Sequence, residues 1–118
     1  MVGSLLTATA CGHPVQRTLE GRWMGESVEN FEDEDVAAAS GWARGTSFEF
    51  AGTELTVAIP AEEPRSATYR VVGVHQKRVR LAVVDRQGQT DELRLILDDE
   101  SSLRWLIDER RAVVLRRQ

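Results

Sequence analysis

Residues 78–84 have the sequence Arg-Val-Arg-Leu-Ala-Val-Val, and residues 93–97 have the sequence Leu-Arg-Leu-Ile-Leu. In both stretches apolar side chains recur at every second position, which is the period of a β-strand with one buried face. The polar residues 85–89 separate the two stretches and are typical of a turn. The pattern predicts a β-hairpin that carries hydrocarbon on one face and arginine on the other.

The same alternation continues in both directions along the chain. Alternating runs occupy residues 22–30, 47–50, 55–59, 69–71, 103–107 and 113–115, and polar or Gly/Pro-containing segments separate them. These runs predict about eight short strands joined by short loops. The residues that we expect to face inward are Trp23, Phe48, Phe50, Leu55, Val57, Ile59, Tyr69, Val71, Val79, Leu81, Val83, Leu93, Leu95, Leu97, Leu103, Trp105, Val113 and Leu115.

Strands in simple chain order leave two unpaired edges unless the sheet closes on itself. We therefore predict an all-β fold, a small antiparallel up-and-down barrel. A sandwich of two stacked sheets needs the same alternation and remains the alternative.

The segment from Asp33 to Gly41 interrupts the strand pattern. It has acidic residues first, alanines in the middle and a glycine last, which is the order typical of a short helix. We expect this helix to lie between strands 1 and 2 and to cover one end of the sheet. A moving lid over the mouth of a ligand pocket is the alternative.

The length of 118 residues is that of one domain, and the formal net charge is −4. This charge argues against a general nucleic-acid-binding protein, which must neutralise many phosphates. The charge is unevenly distributed, because residues 1–64 carry three basic and eleven acidic side chains, whereas residues 65–118 carry twelve basic and eight acidic ones. The two halves are therefore expected to attract each other or to present different surfaces to partners.

Residues 1–10 are uncharged and lead directly to Cys11, with Ala8, Thr9 and Ala10 just before it. This arrangement resembles the end of a bacterial lipoprotein signal, in which small residues precede the cysteine that receives the lipid. The resemblance implies lipidation at Cys11 and anchoring at the periplasmic face of the cell envelope. We divide the chain into a signal remnant and tether at residues 1–18 and a barrel domain at residues 19–118. If Cys11 is not lipidated, the expected location is the cytoplasm.

Gly21-Arg22-Trp23 contains a Gly-x-Trp sequence at the start of the first predicted strand. It resembles the motif that opens the first strand of lipocalins and other calycins, and the terminal residues 113–117 are similar to the end of such a barrel. The resemblance implies an arginine of the last strand that stacks on the tryptophan. Strand parity selects Arg117 rather than Arg116 for this cation–π contact, which contributes about 1 kcal/mol.

The resemblance also implies a non-catalytic barrel that binds a small apolar ligand. We expect such a ligand near one mouth of the barrel. The candidate ligand-binding residues are Trp23, Phe48, Phe50, Tyr69, Trp105 and Arg117. An interior that is filled by its own side chains is the alternative, because an eight-stranded barrel has little spare room.

The opposite strand face is rich in arginine, with Arg70, Arg78, Arg80, Arg94, Arg104 and Arg116 on successive strands. Nearby carboxylates such as Glu92 can neutralise this stripe. Alternatively, the stripe binds an acidic envelope protein, as an inhibitor or assembly factor, or an anionic lipid surface. The candidate partner-binding residues are Arg70, Arg80, Arg94 and Arg104.

Apolar residues also occur at the alternate strand positions that we expect to face outward with the arginines. They are Val72, Val74, Val84, Ile96, Leu106 and Val114. Because a soluble protein rarely exposes so many, we expect the helix or a second subunit of a homodimer to cover part of the wall.

Catalytic and metal-binding patterns are weak, so we predict neither an enzyme nor a cofactor or metal site. His13 falls in the expected tether and His75 in a turn, and neither has an evident catalytic partner. The acidic residues 98–100 lack the spacing of a calcium loop and are better explained as a hairpin turn.

Overall fold

A computed structural model describes residues 13–118, which form a closed barrel of eight antiparallel strands in chain order. Cys11 lies outside the described residues. The helices are α1 (Val15–Leu19) and α2 (Val36–Arg44), and a 3₁₀ turn at Asp33–Asp35 leads into α2. The strands are β1 (Gly21–Glu29), β2 (Ser47–Ala51), β3 (Glu54–Ala58), β4 (Arg65–His75), β5 (Arg78–Val84), β6 (Thr90–Asp99), β7 (Ser102–Leu106) and β8 (Ala112–Arg117). The barrel prediction is confirmed.

The barrel closes by the pairing of β1 with β8, where Trp23 lies opposite Arg117 and Val28 opposite Val113. Closure gives every strand two hydrogen-bonded neighbours and leaves no sheet edge, which excludes the two-sheet alternative. The predicted alternation is satisfied around the ring, because directly opposite residues in antiparallel strands share a face. Val79, Leu95 and Trp105, for example, form one continuous inward row across β5, β6 and β7.

The core contains all but one of the residues that we expected to face inward. Ile59 is the exception: β3 ends at Ala58, so Ile59 is only half-buried in the following loop. Two further core residues, Leu19 and Ala43, come from the helices and carry no strand pattern.

Three β-bulges shift the strand parity, at Glu26, Val72 and Asp98. The bulge in β4 corrects one expectation. Because the extra residue lies between Val71 and Gly73, Val74 pairs with the inward-facing Val79 instead of lying on the outer parity. Val74 is nevertheless 40% exposed, because it stands near the end of its strand.

The predicted helix is present as α2 between β1 and β2, and it packs against β1. Its C-terminal residues reach the core, where Ala43 is fully buried and the rings of Trp42 and Trp105 have their centroids 6.0 Å apart. Gly25 of β1 makes this approach possible, since a Cβ at Gly25 would stand 1.8 Å from the carbonyl oxygen of Ala43. The helix therefore closes the end of the barrel at which β1 finishes.

Helix α1 belongs to the folded unit, although we expected residues 12–18 to form a tether. Val15 packs against the core, Leu19 is fully buried, and the carbonyl of Leu19 accepts a hydrogen bond from Trp23 Nε1 at 2.9 Å. The helix lies at the end where β1 begins, where the Gln16 side chain donates to the carbonyl of Gly52 at 2.8 Å.

We predict that Gly25→Ala destabilises the protein by about 3 kcal/mol, because the new methyl group forces α2 away from β1. The matched control is Gly41→Ala within α2, where no atom lies within 4 Å of the added Cβ. That control should stabilise the protein by about 0.5–1 kcal/mol through helix propensity. Urea denaturation of both variants measures the difference, and equal stabilities would contradict this account of the helix contact.

Candidate functional site

The predicted ligand-binding residues lie together inside the barrel. Trp23 and Phe48 are fully buried, Phe50 and Tyr69 are at most 2% exposed, and Trp105 is half-buried. Four of these rings form a connected series, with centroid distances of 5.2 Å for Phe50–Tyr69, 6.2 Å for Phe48–Phe50 and 5.3 Å for Phe48–Trp105. Such distances are those of favourable tilted and edge-to-face pairs. The rings therefore pack as a core across the barrel interior.

Arg117 lies over the ring of Trp23, with the guanidinium carbon 4.2 Å from the ring centroid. This is the cation–π contact that strand parity predicted. The guanidinium also donates to three backbone carbonyls, those of Thr18, Glu20 and Glu100. Because these carbonyls belong to α1, the link to β1 and the β6–β7 turn, Arg117 ties three segments to the last strand.

We predict that Arg117→Gln destabilises the protein by about 2 kcal/mol, through loss of the cation–π contact and of charged hydrogen bonds. Arg116→Gln is the matched control, because Arg116 points outward and pairs only with the exposed Glu26 at 3.0 Å. Exposed ion pairs contribute little, so the control should behave like the wild type. If both variants lose the same stability in urea, the special role of Arg117 is refuted.

Tyr69 is the one buried side chain within residues 13–118 whose polar atom lacks a hydrogen-bond partner. Burial raises the pKa of its hydroxyl to about 12, and the negative charge of Glu20 adds to this effect. The hydroxyl is therefore neutral at physiological pH and can donate a hydrogen bond. An unpaired buried hydroxyl is costly, so a polar group that reached it would be stabilised.

The arginines of the outer wall fall into two groups. In the first, Arg80 pairs with Glu92 at 3.1 Å, Arg104 makes a two-pronged contact with Asp98 at 2.9 and 3.0 Å, and Arg116 pairs with Glu26. In the second, Arg70, Arg78 and Arg94 have no carboxylate within ion-pair distance among residues 13–118. The structure thus separates the predicted partner-binding residues, and Arg104 is engaged within the chain.

Two arginines occupy directly opposite positions on β5 and β6, where Arg80 pairs with Arg94 in the strand register. On the other side of Arg80 stands Gly73, whose missing side chain leaves room for the guanidinium: a Cβ there would lie 2.6 Å from Arg80 Nη2. Because Arg80 is paired with Glu92, Arg94 is the member of this cross-strand pair that lacks an ion-pair partner among residues 13–118.

These arginines border a cleft of about 260 Å³ across β4, β5, β6 and β7. Its lining residues are Gly73, Val74, His75, Arg78, Val79, Arg80, Arg94, Leu95 and Leu106. Val72 and Val74, at 38% and 40% exposure, are among the most exposed large apolar side chains of the described chain. The cleft combines cationic and aliphatic groups, and we call it the arginine cleft.

Helix α2 does not cover the arginine cleft. The helix packs against β1, whereas the exposed Val72, Val74 and Val84 lie on β4 and β5. Of the outer apolar residues, Ile96 is only 9% exposed, and in the strand register it lies between Arg78 and Arg104. The expectation of a second subunit over this wall remains a prediction.

Sequence reasoning identified the arginine stripe but missed the cleft. Gly73, Val74 and Leu106 line the cleft, yet nothing in their spacing marked them as site residues. The cleft was missed because of the β4 bulge, which changes the faces on which the side chains after Val71 lie. No residue type in that stretch requires a bulge. The glycine within an otherwise alternating run was the one available signal.

The histidines do not form a catalytic arrangement. His13 Nδ1 accepts a hydrogen bond from the backbone N–H of Val15 at 3.1 Å, while the exposed His75 lines the arginine cleft. Over residues 13–118 no group of three His, Cys, Asp or Glu side chains is placed to hold a metal ion. No helix in this part of the chain is long and apolar enough to cross a membrane.

A scan against protein-family models and searches of curated proteins and of solved structures give no significant match for this chain. What the chain does is therefore argued from its own residues.

Proposed function

We propose that this chain is a non-catalytic interaction module of the bacterial envelope, anchored by lipid at Cys11, whose arginine cleft binds an acidic partner protein. The observation that carries the proposal is the group of arginines without carboxylate partners around exposed aliphatic side chains. Arg78 and Arg94 supply cationic charge. Val74, which shares the parity of Val79 but is exposed at the end of its strand, and the half-buried Leu106 supply apolar surface beside it. An acidic segment with an apolar residue has the chemistry that this surface matches.

The closed barrel supports recognition through side chains. A partner cannot add a strand, because every strand of the barrel is already paired on both sides. The interior is occupied by packed aromatic rings, which favours the outer wall over the barrel lumen as the binding surface. Arginine suits this role, because its planar fork binds carboxylates with two hydrogen bonds and is weakly hydrated.

The lipocalin-like family relation and the anchor are parts of the same proposal. The Gly-x-Trp sequence at residues 21–23, the Arg117–Trp23 contact and the eight-stranded barrel are what support the relation. For the anchor, the support is the small residues before Cys11. Lipidation would hold the module at the membrane, where its partners would be other envelope proteins.

We predict that a photo-reactive amino acid at Val74 cross-links the full chain to an acidic protein in bacterial cells. Arg78→Gln with Arg94→Gln should abolish the adduct, because the double variant removes both arginines that lack ion-pair partners beside Val74. The matched control places the same probe at the exposed Glu49 on β2, outside the cleft. In the same cells, incorporation of labelled palmitate that Cys11→Ala removes tests the anchor.

Three outcomes contradict the proposal. The Val74 probe gives no more adduct than the Glu49 probe, the adduct survives both arginine substitutions, or the purified chain binds anionic vesicles while no protein is captured. The last result would make the wall a lipid-binding surface. Absence of palmitate at Cys11 would refute the anchor alone.

A second candidate function is binding of a small apolar ligand inside the barrel, and the unpaired hydroxyl of Tyr69 is the observation that favours it. A ligand with one polar group could satisfy this hydroxyl while its hydrocarbon replaces core contacts. The ring of Tyr69 packs edge-on against Phe50, with the ring centroids 5.2 Å apart.

Tyr69→Phe distinguishes the two candidates. If the hydroxyl is unpaired in solution, its removal should stabilise the purified protein by about 1 kcal/mol in urea denaturation. If a bound molecule satisfies the hydroxyl, the substitution should instead destabilise the protein as isolated, and extraction with organic solvent should remove the difference. We expect stabilisation, in line with the packed interior.

A further inference from the structure

We infer that the arginine cleft binds a second copy of this chain, through the acidic turn that precedes α2. The inference rests on the proposed function, because it names a partner for the same cleft. The turn contains Glu32, Asp33, Glu34 and Asp35, with Phe31 before it and Val36 after it. It is thus an acidic segment flanked by apolar side chains, which is the chemistry that the cleft matches.

The acidic turn has the exposure that a docking segment needs. Its four carboxylates are exposed, and none lies within ion-pair distance of a cation among residues 13–118. Val36 is 38% exposed, which matches the exposure of Val72 and Val74 beside the cleft. The acidic turn and the arginine cleft therefore each combine exposed aliphatic groups with charged side chains that lack ion-pair partners within the described chain. The turn carries carboxylates and the cleft carries arginines, so their charges are opposite.

The acidic turn is also held in a defined position. Asn30 Nδ2 donates to the carbonyl of Arg110 at 2.8 Å, and the guanidinium of Arg111 lies 5.1 Å from the centroid of the Phe31 ring. Arg111 is in turn fixed by Asp108 at 2.7 Å, and the pKa of this carboxyl is lowered to about 2, mainly by backbone N–H groups of Arg111 and Arg110. The β7–β8 loop therefore braces the turn against the barrel.

The two surfaces lie at different places on the barrel, so one copy cannot satisfy both within itself. The acidic turn is at the end where β1 finishes, whereas Val74, His75 and Arg78 flank the β4–β5 turn at the opposite end. Contact between copies is therefore head to tail, with the turn of one copy in the arginine cleft of the next. Such contacts join unlike surfaces and extend into chains or rings.

The closing experiment uses sedimentation velocity of the full chain in a reducing buffer. We expect concentration-dependent association that weakens at least tenfold when the salt concentration rises from about 50 mM to about 500 mM, because exposed charges are screened. Two double variants remove one surface each: Arg78→Gln with Arg94→Gln removes the cleft, and Glu32→Gln with Glu34→Gln removes the turn. Each should be monomeric alone.

Mixing the two variants gives the decisive reading. The cleft variant keeps an intact turn, and the turn variant keeps an intact cleft, so only one productive contact can form. The mixture should give a 1:1 dimer and no larger species, at an affinity within about threefold of the wild-type contact. Matched controls with the same charge changes elsewhere, Arg65→Gln with Arg86→Gln and Glu49→Gln with Glu54→Gln, should associate like the wild type.

A wild-type chain that stays monomeric at all concentrations overturns the inference. So does association that the turn variant leaves intact, or a mixture that forms no dimer. These results leave the proposed function distinguishable: a monomeric chain that still forms the Val74 adduct with another acidic protein would refute self-association and retain the cleft as a docking site.

Discussion

Closure of the sheet between β1 and β8 is the constraint on which the rest of the structure depends. Strands at the two ends of the chain must meet in register, and Trp23 lies directly opposite Arg117 at that seam. The stacked pair is joined to α1 through the indole N–H and to the β6–β7 turn through Glu100. A sheet left open here would expose two edges to other chains. The residues that close the barrel also close one of its ends, so the same contacts serve both parts of the architecture.

Closure also explains how the charges are arranged. In an up-and-down barrel, position along the chain becomes position around the wall, so the acidic first half and the basic second half become two sectors. The seam brings the sectors together, and there carboxylates of β1 meet arginines of the last strands, as Glu26 does with Arg116 and Glu29 with Arg104. On the middle strands Arg80 pairs with Glu92 of β6, whereas Arg78 and Arg94 remain without ion-pair partners among the described residues.

Much of this fold could be predicted from the sequence, because the alternation of apolar and polar residues along a strand shows directly which side chains are buried. Val79, Leu81 and Leu95 face inward as their parity required, and the acidic start and glycine of 33–41 correctly indicated α2. The cleft could not be predicted. The cleft depends on the bulge at Val72, on the space left by Gly73 and on the position of Leu106 beside Arg94. All three are set by how the strands are aligned with one another, which the alternation within a single strand does not report. Helix α1 was missed for a related reason: it has five residues and is held by tertiary contacts of Val15 and Leu19, not by helix propensity.

The residues that give the arginine cleft its charge and exposed apolar surface are not the residues that stabilise the core, and this difference is relevant to the function of the cleft. The core gains its stability from buried hydrocarbon and from the seam, neither of which needs Arg78, Arg94 or the exposed Val74. Solubility alone would be served by charges of both signs interspersed over the wall. A cationic surface with exposed aliphatic groups, on a barrel whose strands are all paired, is therefore the basis on which we propose recognition of an acidic surface.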